Sequence, residues 1–440
     1  ASGTYNVSLA TFPAVQVVDP EVGGLRSGET LGGTLARGEI EVIPFEATAG
    51  GSIVAAMGTV TGSSFYPQVQ VFGPGGQYVG GDWDLNGAGV TLTAAQSGTH
   101  YLVLREYGDD ASGTYNVSLA TFPAVQVVSA IIANAQSGET IEESLQVGGM
   151  HVVPISVNVG DRLIATMGRL DTAIYPVIEL YRPNGSYQTG HIHHDVAAIN
   201  VVAEQSGTHY LVLRESGNDA GGRYRFTLAV LPGLQVPSVE MTGIQSGEAR
   251  QGTLVRSRFE IVPLDLPLGI RLIATMSELD TALYPMIELY RPNGSYQIGD
   301  SGYSVAGINA LITAEGTHYL VLRDSGNDSA GRYTLSLTEG ESVSYSITAS
   351  SSPAAGGGVA LSPLPNAEGK LAAGTKITFT ATPAAGYYLK SWSGVDGHNG
   401  STAWVTLLNN RTVTASFAQL APHEDCGCPV EYLHHCTDPV

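Results

Sequence analysis

Apolar and polar residues alternate along much of this chain with a period of two, which is typical of β-strands with one buried face. The clearest examples are EIEVIPFEA at 39–47 and MHVVPISVNVG at 150–160. Turn-forming residues separate such stretches at short intervals, and the Pro-Asn-Gly triplets at 183–185 and 292–294 predict hairpin turns. No segment has the period of an amphipathic helix. The pattern therefore predicts an all-β protein of short, half-buried strands.

The strand pattern repeats with a long and fixed period. The motif GTHYLVLR occurs three times, and its histidines, His100, His209 and His318, are 109 residues apart. Residues 1–18 recur letter for letter at 111–128, so the chain opens on the last part of a unit. A fixed period of this length indicates one supersecondary unit copied along the chain. About eight short strands in each unit predict tandem jelly-roll-like β-sandwich modules.

Composition agrees with the repeat and adds a boundary after it. The chain has 55 Gly and only 14% charged residues, as expected for β-structure with many tight turns. Its three lysines all lie between 370 and 390, which indicates a different domain beyond about residue 340. We therefore expect these segments: 1–18, the last strands of a preceding or incomplete repeat; 19–128, 129–236 and 237–340, three sandwich repeats; 345–418, a small Gly-rich β-domain; and 419–440, a Cys/His-rich tail.

Charge and hydropathy argue against nucleic-acid binding and against a membrane-spanning segment. The net charge of −20 argues against nucleic acid, because its phosphates would be repelled. No apolar run approaches the ~20 residues of a membrane span. All three cysteines lie within the last fifteen residues, so the sandwich modules are expected to fold without disulfides.

The repeats resemble a known family. The run from YPVIELYRPNGS at 175–186 to GTHYLVLR and the strand that follows is similar to the bacterial pre-peptidase C-terminal (PPC) domain. That resemblance covers about 19–338 together with 1–18. The resemblance implies a jelly-roll-like sandwich, export from a prokaryotic cell and a non-catalytic role. It does not identify a ligand.

The C-terminal segment resembles a second family. YSITASSSPAAGGGVALSP, GTKITFTATPAAGYYLKSWSG and NNRTVTASFAQL are similar to Gly-rich bacterial surface repeats related to the internalin B-repeat. The resemblance implies a small β-module that serves as a spacer or adhesin element. The matching positions are Gly386, Tyr387, Trp392, Thr414, Ala415 and Phe417. Both resemblances imply an extracellular or cell-surface location.

No sequence motif supports catalysis. The chain contains no G-x-S-x-G elbow, no H-E-x-x-H and no P-loop. The three GTHYLVLR histidines stand in identical contexts, and active sites are rarely triplicated with their scaffold. We expect them to be structural, on the solvent-facing side of a strand, and we expect the protein not to be an enzyme.

Acidic turns and loops are candidates for calcium, which takes six to eight oxygen ligands. The alternative is that Gly-Asn-Asp sequences are simply good turn formers. The candidate oxygens belong to Asp82, Asp84, Asp109, Asp110, Asp219, Asp300 and Asp328.

Two histidine-rich segments are candidates for a transition metal such as zinc. A loop of the second module carries His191, His193, His194 and Asp195, where alternation places His191 and His193 on one face. The tail could instead form a disulfide with one thiol left for a partner, or remain passive. Its candidate ligands are His423, Cys426, Cys428, His434, His435 and Cys436.

These observations favour an extracellular structural or adhesive protein, a stalk or fibre component that associates with itself or with another surface protein. The alternatives are a non-catalytic appendage of a secreted hydrolase and a carbohydrate-binding module that uses Trp83, Tyr66, Tyr78, Tyr187 and Tyr296. Residues 1–18 have two interpretations. They belong to a preceding repeat, or they complete a neighbouring subunit's sheet by strand addition.

Overall fold

The computed structural model describes residues 7–11, 25–62, 64–123, 135–233, 241, 243–280 and 282–420. These residues fall into two compact units. The first unit holds the three β-sandwiches up to residue 338, except for the segments 266–272 and 311–315. The second unit holds those two segments and the C-terminal β-domain. No helix among the described residues is long and apolar enough to cross a membrane.

Each sandwich, here called module 1, 2 or 3, has eight strands. Module 1 contains β1 (Glu29–Leu35), β2 (Ile40–Ala47), β3 (Ser52–Thr61), β4 (Pro67–Phe72), β5 (Tyr78–Trp83), β6 (Gly87–Thr93), β7 (Gly98–Glu106) and β8 (Gly113–Thr121). Module 2 contains β9 (Thr140–Leu145), β10 (Met150–Val157), β11 (Arg162–Arg169), β12 (Pro176–Tyr181), β13 (Tyr187–Ile192), β14 (Val196–Val202), β15 (Gly207–Glu215) and β16 (Gly222–Leu231). Module 3 contains β17 (Ala249–Leu254), β18 (Glu260–Asp265), β19 (Arg271–Glu278), β20 (Pro285–Tyr290), β21 (Tyr296–Ser301), β22 (Val305–Leu311), β23 (Thr317–Asp324) and β24 (Gly331–Glu339).

All three modules share one topology. In module 1 the two antiparallel sheets have the orders β2-β7-β4-β5 and β1-β8-β3-β6, which is the strand order of a jelly roll. We call the sheet that contains β2, β10 or β18 the front sheet of its module, and the other the back sheet. The equivalent orders recur in modules 2 and 3. The fold predicted from the sequence, an all-β chain of tandem jelly-roll-like sandwiches, is confirmed, while the residue at which each module begins or ends stays a prediction.

Apolar residues of the two sheets form the core of each module. In module 1, Leu35, Ile53, Val69 and Leu102 are completely buried between the sheets. A buried tyrosine completes each core, and it bonds to a polar side chain of the front sheet. Tyr333 donates to Glu260 Oε2 at 2.6 Å in module 3, and the equivalent pairs are Tyr115 with Glu41 and Tyr224 with His151.

Several strands are buried on both faces, contrary to the half-buried strands expected from the alternation. In β8 and β16 nearly every residue from the third position onward is buried, whereas β24 keeps the alternation of buried and exposed residues. The same contrast separates β3 and β11 from β19. The cause is a further layer of protein on the outer face of β3, β8, β11 and β16, as described below.

The C-terminal domain packs two four-stranded sheets, β27-β25-β32-β29 and β26-β28-β31-β30. Trp392 lies with its ring centre 6.5 Å from that of Phe379, and Tyr387 and Trp392 both pack on the small cluster that contains Phe417. Both aromatic residues of the Gly-Tyr…Trp pattern therefore pack on the apolar interior of this domain. The strands are β25 (Ser344–Ser352), β26 (Gly357–Ser362), β27 (Lys370–Ala372), β28 (Lys376–Pro383), β29 (Tyr387–Ser393), β30 (Gly397–Asn399), β31 (Thr402–Thr406) and β32 (Arg411–Gln419), with a 3-10 turn at Ala354–Gly356.

Candidate functional site

The repeats create an interface between successive modules. The back sheet of module 1 packs face to face on the front sheet of module 2. Phe122 stacks on Tyr181 with ring centres 4.4 Å apart, and it also contacts Tyr210. The other buried residues of this interface are Val54, Ala56, Ala120, Met150, Val152 and Val212. The interface is therefore a second kind of hydrophobic core, placed between modules rather than within one.

Hydrogen bonds fix the register of this interface. Ser118 Oγ donates to the Gly148 carbonyl at 2.6 Å, and Tyr210 donates its hydroxyl to the Pro123 carbonyl at 2.8 Å. The Ser118 bond is buried, so it joins backbone of one module to a side chain of the other without water. A directional bond inside an apolar contact selects one alignment of the two sheets.

The interface between modules 2 and 3 repeats the first one 109 residues later. Thr227 Oγ1 donates to the Ser257 carbonyl at 2.9 Å, and Tyr319 donates to the Pro232 carbonyl at 2.7 Å. The apolar residues are Ile164, Ala229, Leu231, Phe259, Ile261, Tyr290, Tyr319 and Val321. Two interfaces with the same contacts show that stacking is a property of the repeat unit.

The predicted hairpin turns take part in the stacking. Gly185 and Gly294 have positive φ angles of 85° and 77°, as these tight turns require. A Cβ atom at either glycine would also clash with backbone of the preceding module, at Phe122 or Leu231. The turn sequence is confirmed as a hairpin, and its glycine has a second role in the close approach of two modules.

An arginine–glutamate pair lies on the front sheets of modules 2 and 3. Arg214 binds Glu179 through two bonds, Nε–Oε2 at 3.2 Å and Nη2–Oε1 at 3.0 Å, and both side chains are largely buried. Arg323 and Glu288 form the equivalent pair in module 3. In module 1 the glutamate position is Gln70. These residues are not among those predicted from the sequence to have a function, although the glutamate at the centre of the IELY strand was a signal.

The GTHYLVLR histidines are buried, so the expectation that they face solvent is wrong. His100, His209 and His318 are at most 1% exposed. Each Nδ1 lies 3.0 to 3.4 Å from the carbonyl of the glycine two residues earlier, which makes Nδ1 the protonated nitrogen. Each histidine lies two positions before a core leucine, Leu102, Leu211 or Leu320, and therefore on the core-facing side of the front sheet. The geometry fits the predicted structural role.

Buried histidines make the stability of the stack depend on pH. Burial lowers the pKa values of His209 and His318, and their Nε2 atoms have no hydrogen-bond partner among the described residues. The unfolded chain, with an ordinary histidine pKa near 6.5, therefore binds protons more readily than the folded one. Stability should be full above about pH 6.5 and should fall as the pH drops below it.

This dependence can be tested by urea unfolding at pH 7.5, 6.5 and 5.5. The double variant His209→Asn/His318→Asn keeps a donor to the glycine carbonyl but cannot be protonated, so we expect a flatter profile than in the parent. Carboxylates such as Glu215, whose pKa is raised by burial, are present in both proteins and cancel in the comparison. Equal pH profiles for the two proteins would show that the histidines do not cause the dependence.

The acidic turns are held by an internal carboxylate. Asp109, Asn218 and Asn327 have positive φ angles of 54° to 57°, which suits their short polar side chains. The following amides donate to the acid at the end of the preceding strand: Asp110 N to Glu106 at 2.9 Å, Asp219 N to Glu215 at 3.3 Å and Asp328 N to Asp324 at 3.2 Å. These contacts favour the turn-forming interpretation, while calcium binding stays a prediction.

Asp82, His191 and Asp300 occupy one position in the three modules. Each accepts a bond from a backbone amide of the back sheet: Gly89 at 2.9 Å, Ala198 at 3.0 Å and Gly307 at 2.9 Å. These bonds join the edge strands of the two sheets, which protects the edges. Asp84 accepts from the Leu85 amide, and it lines a cleft of about 210 Å³ with Asp82 and the cationic Arg214.

The histidine loop of module 2 is brought together only in part. His191 and His193 lie on one face as predicted, with parallel rings 6.0 Å apart. His194 turns away to Arg169, and Asp195 pairs with Arg169 at 2.7 Å. No three His, Cys, Asp or Glu side chains converge as metal ligands in the part of the chain that the structure describes. Residues 421–440, which include every candidate ligand of the tail, lie outside that part.

Exposed aromatic residues occur in all three modules. Trp83 and Tyr107 stack with ring centres 3.7 Å apart in module 1. Tyr284 and Tyr303 contact edge to face in module 3, where they line a cleft of about 560 Å³ with Asp328. Tyr78, Tyr187 and Tyr296 are about half exposed, and Tyr66 is partly buried. Sugar binding by these rings stays a prediction.

Comparisons with known proteins bear on one part of the chain. Residues 345–421 match the model of the divergent InlB B-repeat domain family. No curated protein matches the chain.

Solved structures give only weak similarities. A structure of Sulfolobus turreted icosahedral virus is 12% identical, with a TM-score of 0.15, over 68% of this chain and 81% of that one. A triple jelly-roll protein of an archaeal virus turret is 11% identical, with a TM-score of 0.16, over 72% and 89%. The insecticidal delta-endotoxin Cry8Ea1 of Bacillus thuringiensis is 9% identical, with a TM-score of 0.14, over 68% and 53%. TM-scores this low support no argument about function.

Proposed function

We propose that this chain is a non-catalytic structural and adhesive component of the cell exterior, in which stacked sandwich modules serve as a stiff spacer. The observation that carries the proposal is the repeated face-to-face interface. Modules joined only by linkers would move independently, whereas modules that share a buried apolar layer and register-fixing bonds hold a fixed geometry. A fixed geometry is what a stalk or fibre needs.

Three other features support an extracellular role. The C-terminal match is to the divergent InlB B-repeat domain, a repeat related to bacterial surface proteins. The sequence of the sandwich repeats resembles that of PPC domains, which occur in exported proteins. The net charge of −20 and the near absence of lysine give a surface that resists unspecific association. Self-association of the chain, or its binding to another surface protein, belongs to the same proposal, with any metal or disulfide of the tail as its point of attachment.

The proposal predicts where the protein is found. Antibodies against the module stack should label the outside of intact producing cells, or fibres attached to them, in immunogold electron microscopy. Antibodies against a cytoplasmic protein of the same cells serve as the control for leakage. Label that appears only after permeabilisation would contradict the proposal. A hydrolase domain found in the same mature polypeptide would instead favour the role of a secreted enzyme's appendage.

A further inference from the structure

Residues 7–11 lie on the front sheet of module 1. Ser8 Oγ donates to the Gly38 carbonyl at 3.0 Å. Ala10 packs against a small apolar cluster on the outer face of that sheet, formed by Val42, Phe72, Tyr101 and Val103. This sheet is the one that, in modules 2 and 3, receives the back sheet of the preceding module. The segment therefore occupies the place of a neighbouring module.

The contacts of this segment repeat those at both module interfaces. Residues 1–18 are identical to 111–128, so Ser8 and Ala10 correspond to Ser118 and Ala120. The bond from Ser8 to Gly38 is the counterpart of Ser118 to Gly148 at 2.6 Å and Thr227 to Ser257 at 2.9 Å. The apolar partners correspond in the same way, since Val42, Tyr101 and Val103 align with Val152, Tyr210 and Val212.

We infer that the front sheet of module 1 is a docking surface for the back sheet of another sandwich of this repeat type, and that residues 7–11 are part of the docking strand of that sandwich. Strand addition to an open sheet edge would be a different geometry, because it pairs backbone with backbone at the edge. Here the contacts run from side chains to the face of the sheet. The inference concerns array geometry, and it goes beyond the proposed cellular role.

The back sheet of module 3 does not have the features of a docking partner. Ala229, which is buried between modules 2 and 3, is replaced by the exposed Thr338. Gly168 is replaced by Ser277, and a Cβ atom at Gly168 would overlap the side chain of Ser257 in the next module. A partner must therefore carry the small residues of modules 1 and 2. The fitting occupant is such a repeat, rather than the end of a second copy of this chain.

A longer chain tests the inference directly. A second copy of residues 19–110 placed immediately before Ala1 completes a sandwich letter for letter, because 1–18 equals 111–128. The added copy carries Glu46→Asp and Thr99→Ser, so that its peptides differ in mass from those of module 1. We expect amide hydrogen exchange in β2 and β7 of module 1 to slow by about tenfold, as for repeats that gain a stacked neighbour.

Substitution of Ala10 provides the control for this experiment and defines the result that would contradict it. In the extended chain, Ala10→Arg places a charge in the docking contact, and it should remove the protection of β2 and β7 while the added sandwich stays folded. In the unextended chain the same substitution should speed exchange in β7. Exchange in β2 and β7 that is unchanged by both the extension and Ala10→Arg would overturn the inference. Such a result would leave the cellular location, and hence the proposed function, untouched.

Discussion

Replacement of Ala229 by arginine should destabilise the stack by about 3 to 5 kcal/mol, since it introduces a long, charged side chain into a fully buried contact. Ala229 has no exposed surface, and its neighbours across the interface are apolar residues of module 3 such as Phe259 and Val321. Glu288, which lies opposite Val321 on that sheet, already pairs with Arg323, so the new charge either stays buried without a partner or the two sheets separate. We expect a lower urea midpoint, and we expect one unfolding transition to split into two as the modules lose their coupling.

The repeat supplies a matched control for this experiment. Thr338 occupies the equivalent position of β24 in module 3, where it is exposed. Thr338→Arg introduces the same side chain on the same kind of strand, and it should change the free energy of unfolding by no more than about 0.5 kcal/mol. Equal effects of the two arginines would mean that β-propensity, rather than the interface, controls stability at this position.

Replacement of Arg214 by methionine should cost about 2 to 4 kcal/mol, because it leaves the largely buried Glu179 carboxylate without its bidentate partner. Glu179 is 12% exposed, so water can compensate only in part. Methionine keeps most of the apolar stem of arginine, and the loss therefore reports on the charge rather than on packing. Urea unfolding measures the change in the free energy of unfolding.

Two further variants separate the pair from its surroundings. The double variant Arg214→Met/Glu179→Gln removes both charges, and it should recover much of the stability lost in Arg214→Met. In module 1 Gln70 stands in place of the glutamate, and Arg105 pairs instead with the exposed Asp109, so Arg105→Met should cost less than about 1 kcal/mol. A double variant no more stable than Arg214→Met would show that the ion pair is not what the arginine contributes.

The architecture of each module could be predicted from the sequence, because alternation and turn residues act locally. EIEVIPFEA forms β2, and the Pro-Asn-Gly triplets form hairpins, as expected from their residues alone. The stacking of modules could not be predicted in this way. Ile164 and Thr166 in β11 are buried, while the same residue types at 273 and 275 in β19 are more exposed. Burial of these outer faces depends on the neighbouring module and not on the strand itself.

The hydrogen-bond partners of the candidate cation ligands could not be predicted from the sequence either. Asp82 and Asp300 were chosen as possible cation ligands from their residue type, but each bonds to an amide of the facing sheet. Residues seven positions apart in sequence meet there only because the fold brings two sheet edges together. Alternation did predict that His191 and His193 share a face, because that relation lies within one strand.

The front-to-back contact between modules also bears on how such an array can change length. The two surfaces that meet are different, and a repeat that carries both, as module 2 does, can stand between two others. Duplication of the gene segment for such a repeat would therefore encode a module whose front and back sheets already match its neighbours. No further mutation would be needed for the new module to stack. Elongation would stop where a copy acquires Thr and Ser in place of Ala and Gly on its outer strands, as at Thr338 and Ser277. The outer strands of module 3 therefore lack small residues that the other two modules use in stacking.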